Sequence, residues 1–214
     1  MKRKSLLAAV GFLAAFLLWT ILVCVVDVRP VGPNDSSVGL AGMNRAIHLL
    51  TGSNFLLYSL TDWLGIVPIC VCVGFAVLGL VQWIKRKYIC KVDSDILALG
   101  GFYIVTFGAY LLFESLTINY RPVLIGGYLE ASYPSSTTML TLCVMTTAGM
   151  QLKKRIANKT IRWIVTIAIH GFTAFMVIGR FLSGVHWFSD IVGGGLLSAG
   201  LVMIYRFVCQ WKEE

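Results

Sequence analysis

The stretch GRFLSGVHWFSDIVGG, residues 179–194, places Arg180, His186 and Asp190 close together between two runs that are otherwise apolar. Charges and a histidine at the edge of a membrane span are costly unless something uses them. His186 and Asp190 are four positions apart, so on one helix they share a face. A carboxylate bonded to one ring nitrogen fixes the imidazole tautomer and frees the other nitrogen for nucleophilic attack. Arginine is a planar, permanently charged donor suited to gripping phosphate oxygens at two points.

Two further polar clusters interrupt apolar sequence: FESLTINYRP at 113–122 and SYPSSTTM at 132–139. The first contributes Arg121, whose local backbone is fixed by Pro122. In the second, Pro134 suits the first turn of a helix, and Ser132, Ser135 or Ser136 offers a cap. A helix starting there aims free backbone N–H groups outward, which makes an anion site. A purely structural account also exists. Arg180 would be an interfacial anchor, Trp187 and Phe188 part of an aromatic belt, and His186–Asp190 a stabilising pair. Two arginines, a helix start and a His–Asp pair in one chain favour a phosphate site.

Positioning these clusters requires a membrane-embedded frame. Of 214 residues, 57% are hydrophobic and 13% charged, more apolar and less charged than an ordinary soluble domain. The apolar residues come in blocks, expected to span at about 5–26, 63–84, 96–116, 136–152, 163–183 and 188–208. The first run follows MKRK and is longer than a signal-peptide core, so it reads as an uncleaved span. The fold class expected is all-α: a polytopic membrane protein with six transmembrane helices in one bundle, a single domain over 1–214.

With a cytosolic N-terminus, 14 of the 18 basic residues fall inside, and only Arg29, Arg45, Arg121 and Arg180 fall outside. The positive-inside rule favours that orientation, with both termini cytoplasmic. All three polar clusters then share the external side. The net charge of +8 sets topology rather than nucleic-acid binding.

Other features receive plainer readings. GLAGMNRAIHLLTG in the 27–62 loop forms an amphipathic helix at the interface, with His48 on its surface. His170 is a neutral histidine bonded to a neighbouring helix. Cys70 and Cys72 point to different helix faces, and none of the six cysteines is placed for a disulfide framework. NKT at 158–160 lies on the cytosolic side, out of reach of glycosylation. GGGLLSAG at 193–200 spaces small residues for close helix packing.

The arginine, five residues, histidine, three residues, aspartate spacing of RFLSGVHWFSD resembles the third motif of the type 2 phosphatidic acid phosphatase family, the lipid phosphate phosphatases. That family shares its core with the vanadium haloperoxidases. RP at 121–122 and PSS at 134–136 resemble the other two motifs, in the right order, so the motif region spans 114–190. The resemblance implies that His186 attacks phosphorus and carries a phosphoenzyme intermediate, with Asp190 orienting it. Arg121, Arg180 and the Ser135–Ser136 backbone would hold the phosphoryl oxygens of a membrane lipid phosphate. It implies no metal and no cofactor, and a bacterial plasma membrane is the expected location.

Three positions depart from the family pattern. Glu114 stands where the first motif begins with lysine, Thr137 where the second ends in a proton-donating histidine, and Gly179 where serine precedes the arginine. A threonine hydroxyl is too weak an acid to replace histidine. A diphosphate substrate, such as a polyprenyl diphosphate, would need little leaving-group protonation. Alternatively Glu114 is held protonated and supplies the proton, or it pairs with Arg121 or Arg180. The rival functions are a non-enzymatic lipid-phosphate binder and a transporter. A transporter would normally show polar or broken helices at the bilayer midplane.

Overall fold

The computed structural model describes residues 2–212. Among them six helices reach 20 residues: α1 (Lys2–Val25), α4 (Ile66–Arg86), α5 (Ser94–Ser115), α6 (Ser136–Arg155), α7 (Lys159–Leu182) and α8 (Phe188–Lys212). Two shorter ones, α2 (Ala41–Thr51) and α3 (Phe55–Trp63), lie between α1 and α4. They follow a two-stranded ribbon of β1 (Arg29–Pro30) and β2 (Ser37–Val38). The six long helices match the six expected spans, and the molecule is a helical membrane protein.

Among the described residues, five helical segments are long and apolar enough to cross a membrane, α3 and α4 counting together as one; α6 is the exception. The reason is its place in the bundle. Helix α6 packs against α4, α5, α7 and α8, and it buries Thr138, Thr141, Thr147 and Gln151. A helix enclosed by protein has no lipid to satisfy, so its side chains are selected for packing and internal hydrogen bonds. The core runs through the same region, with Tyr133, Met139, Cys143, Val144, Leu197 and Leu201 buried together.

Helix α1 lies along α8, and the small residues of GGGLLSAG permit the approach. A Cβ at Gly200 would stand 2.6 Å from the Leu13 side chain, and one at Gly193 would stand 2.7 Å from the Tyr133 ring. At the end of the bundle away from the polar clusters, Arg86 pairs with Asp93 at 2.8 Å and Arg155 with Asp95 at 2.9 Å.

Two expectations are corrected. His170 is exposed on α7 rather than bonded to a neighbouring helix. The segment before the second span contains α3, separated from α4 only by Leu64–Gly65. Helix α2 is present as expected, but it docks on the protein through a buried side chain. Asn44 Nδ2 donates to Ser189 Oγ at 2.9 Å, and its Oδ1 accepts from Ser189 N at 3.1 Å.

Candidate active site

The loop 116–135 carries two of the polar clusters and folds back on itself. Gly126 and Gly127, both with positive φ, allow the tight turn between Ile125 and Tyr128. The flanking chain then pairs antiparallel, with Arg121 N donating to Glu130 O and Ser132 N donating to Asn119 O. Arg121 and Ser132 thereby stand beside one another, and both face the loop between α7 and α8 that carries His186.

His186 is almost fully buried. Its Nδ1 lies 3.2 Å from Ser132 O and 3.7 Å from Asp190 Oδ2, while Nε2 lies 3.3 Å from Arg121 Nη1. A carbonyl only accepts and a guanidinium only donates, so these contacts define a neutral tautomer with the proton on Nδ1 and the lone pair on Nε2. Burial, reinforced by the nearby Arg121 and Arg180 charges, holds the imidazole well below its ordinary pKa. The ring is therefore unprotonated at neutral pH.

Asp190 is fully buried in the first turn of α8. Its Oδ2 accepts from Trp187 N at 2.9 Å, and its Oδ1 accepts from Ser189 Oγ at 3.3 Å. The carboxylate thus fixes the short loop that presents His186 as well as approaching its ring. Trp187 is buried and its Nε1 donates to Tyr120 O at 2.7 Å. It ties two polar clusters together rather than joining an aromatic belt.

Ser135 is the N-cap of α6, but its hydroxyl makes no cap bond. Its N–H donates instead to Asp190 O at 3.0 Å, and Pro134 lies before the helix rather than in its first turn. The first bond along α6 runs from Met139 N to Ser135 O. The N–H groups of Ser136, Thr137 and Thr138 precede it and lie at the positive end of the helix dipole.

Both arginines are engaged by carboxylates that the motif pattern does not include. Arg121 Nε is 3.0 Å from Glu130 Oε2, close enough for an ion pair although not aligned as a hydrogen bond. Arg180 is buried, with Nη2 donating to Asp62 Oδ1 at 3.1 Å and Nη1 to Thr61 Oγ1 at 3.3 Å. Its guanidinium stacks over the Tyr58 ring, 4.8 Å from the centroid. Arg180 is therefore no interfacial anchor. The expected pairing of Glu114 with either arginine is replaced by these two contacts.

A cavity of about 630 Å³ opens beside this cluster. Arg121, Arg180, Glu114, Thr137, Asp62 and Glu130 all line it, and Trp63, Ile66, Ile69 and Leu140 supply apolar wall. A narrower space of about 10 Å³, lined by Glu114, Ser132, Ser136 and His186, holds no more than one water. The structure thus brings together His186, Asp190, Arg121, Ser135 and Ser136, with Arg180, Glu114 and Thr137 on the adjoining cavity.

Sequence reasoning passed over Asp62, Asn119 and Glu130. Asn119 is buried, accepts from Gly39 N at 3.0 Å and reaches Asp190 Oδ1 at 3.5 Å. The dipeptide Gly126–Gly127 is a turn signal that would have predicted the hairpin and set Glu130 opposite Arg121. No local signal marks Asn119.

A helical membrane frame with a buried His–Asp–Arg cluster at one end defines a class, and comparison with known proteins agrees. The chain belongs to the PAP2 superfamily, whose family model matches residues 95–213, more than half of its length. Its fold is similar to the crystal structure of the first transmembrane PAP2 type phosphatidylglycerolphosphate phosphatase from Bacillus subtilis. The TM-score is 0.59 at 18% identity, over 96% of both chains. No curated protein matches the sequence.

Proposed function

We propose that this protein is a membrane lipid phosphatase that hydrolyses a phosphate monoester or diphosphate lipid through a phosphohistidine intermediate at the external face. The observation that carries the reading is the His186 tautomer. Ser132 O occupies Nδ1, and the Nε2 lone pair points toward Arg121. Family membership supports the same chemistry.

In this mechanism Nε2 of His186 attacks phosphorus and the bond from phosphorus to the leaving oxygen breaks. Water then attacks the phosphohistidine, releases inorganic phosphate and restores the neutral ring. Arg121, Arg180 and the free N–H groups at the start of α6, from Ser136 onward, stabilise charge on the phosphoryl oxygens, an electrostatic contribution that requires no reorganisation if preset. The Ser135 N–H is taken by Asp190 O. Ser132 O holds the ring and its tautomer, and Asp190 fixes the loop that presents it. Arg121 Nη1 lies 3.3 Å from Nε2, so it moves onto the phosphoryl oxygens as phosphorus approaches.

Leaving-group protonation selects among substrates. Thr137 cannot replace a general acid, whose contribution is typically about 10²–10⁴ in rate. A diphosphate leaves as a lipid monophosphate whose second pKa is about 6, so it departs with little proton assistance. A polyprenyl diphosphate type of substrate suits this site better than phosphatidate. A second reading, lipid-phosphate binding with little turnover, draws on the same Thr137 and Glu114.

The test is phosphate release by purified protein in detergent, from a polyprenyl diphosphate and from phosphatidic acid, beside His186→Ala. Release from the diphosphate that the substitution abolishes is the expected result. Equal release by the variant would remove His186 from the mechanism, and no release by either protein would favour binding without turnover.

A further inference from the structure

Arg180 is expected to grip the substrate phosphate, yet a carboxylate from outside the three motifs already holds it. That carboxylate belongs to α3, which is fastened to the third motif at several points. Asn54 N donates to Ser183 O at 2.8 Å, just after the end of α7. Thr61 is fully buried against α7, and a Cβ at Gly179 would stand 2.9 Å from its Cγ2. Gly179, the residue found in place of the family's serine, is what lets α3 sit this close. The seated helix brings Tyr58 O, the Tyr58 ring, Thr61 Oγ1 and Asp62 Oδ1 onto one guanidinium.

These contacts are unequal. The Tyr58 and Thr61 contacts come from buried or packed groups and hold the guanidinium in place. Asp62 differs, because its side chain is 55% exposed while that of Arg180 is 2% exposed. It lies on the wall of the same cavity as Arg121 and Arg180, where a phosphate would arrive. Arg180 Nε is buried without a partner, so the guanidinium retains a donor that no protein group uses.

We propose that Asp62 is a specificity-determining residue: it pairs with Arg180 and discriminates against free inorganic phosphate in favour of phosphate attached to a lipid. The proposal rests on the reading of Arg180 as a phosphate-binding group. Any phosphate that takes Nη2 of Arg180 must displace the Asp62 carboxylate and tolerate its charge nearby. A lipid offsets that cost through contacts with Trp63, Ile66, Ile69 and Leu140, and it is confined to the membrane at high effective concentration. Free phosphate has neither advantage. Product phosphate is expelled from the site for the same reason.

The test is equilibrium binding of inorganic phosphate to the purified full-length protein in detergent, measured by calorimetry without turnover. Asp62→Asn and Asp62→Ser are each expected to bind phosphate about fivefold more tightly than wild type, the scale of one partly exposed ion pair. In an Arg180→Ala background, Asp62→Asn is expected to tighten phosphate binding far less, because only the repulsion from the nearby charge is then removed. A merely structural Asp62 gives the opposite sign, because a loosened Arg180 binds phosphate less well. Unchanged or weaker binding in both variants overturns the proposal, as does tightening of the same size without Arg180. Tightening without any phosphate release from lipids would uphold Asp62's role and reject turnover, so the two failures are distinguishable.

Discussion

Gly179→Ser restores the residue that the family pattern places before the motif arginine, and the structure predicts that it damages this protein. The new Cβ would stand 2.9 Å from Thr61 Cγ2 and 3.5 Å from Leu57 Cδ1. Thr61 cannot turn away without loss. Its hydroxyl bonds to Leu57 O at 2.9 Å and Tyr58 O at 3.0 Å, and it accepts from Arg180. Overpacking of this kind costs ~1–3 kcal/mol. Taking ~2 kcal/mol and about 2–4 °C per kcal/mol for a chain of this size gives a fall of about 4–8 °C in the unfolding midpoint. The assay is thermal unfolding of purified protein in detergent at one fixed scan rate. Thr61→Ser removes the clashing methyl and keeps the hydroxyl that meets Arg180, so the double variant should recover most of the loss. Additive losses, or a Gly179→Ser midpoint equal to wild type, would refute the seating of α3 on α7.

Two further predictions concern the chemistry. His186 is buried neutral, so the unfolded chain takes up a proton near pH 6.5 that the folded chain does not. Its contribution to stability is therefore full above about pH 6.5 and is lost as pH falls below it. Unfolding midpoints from pH 7.5 to 5 should show this slope in wild type and a reduced slope in His186→Gln. Thr137→His supplies the absent general acid, so it should raise phosphate release from phosphatidic acid by at least about tenfold and change the polyprenyl diphosphate rate far less, as read by initial rates.

The long helices were legible because each is a long, largely apolar block, and basic residues at alternate ends ordered them. Helix α6 was legible as a span yet is the least lipid-like of the set; its threonines and Gln151 announce a protein-enclosed helix only once its neighbours are known. Helix α3 escaped because FLLYSLTDW runs into the next apolar block with only Leu64–Gly65 between them. Its start did carry a signal. Asn54 is its N-cap and accepts from Leu57 N at 3.0 Å, the pattern expected of asparagine before a helical run. The spacing of His186 and Asp190 was readable as helical, yet Asp190 opens α8 and His186 lies in the preceding loop. That is why Ser132 O rather than the carboxylate makes the closer contact with Nδ1. The Asn44–Ser189 and Asn119–Asp190 contacts join segments far apart in sequence, and no local pattern encodes them.

The three departures from the family pattern all bear on the wide cavity, and Glu114 also lines the narrow space beside His186. Glu114 and Thr137 line the wide cavity, and Gly179 admits the helix that places Asp62 on its wall. His186 keeps its tautomer through Ser132 O, Asp190 fixes the loop, and Arg121 faces Nε2. Here a fully buried aspartate and a near-fully buried histidine are retained, at the desolvation cost such groups carry in a protein interior. The wall carries carboxylates at Asp62, Glu114 and Glu130, facing two arginines. Such a wall opposes a bare anion. On the proposed function, the departures fit a changed choice of substrate, with His186 kept as the attacking group.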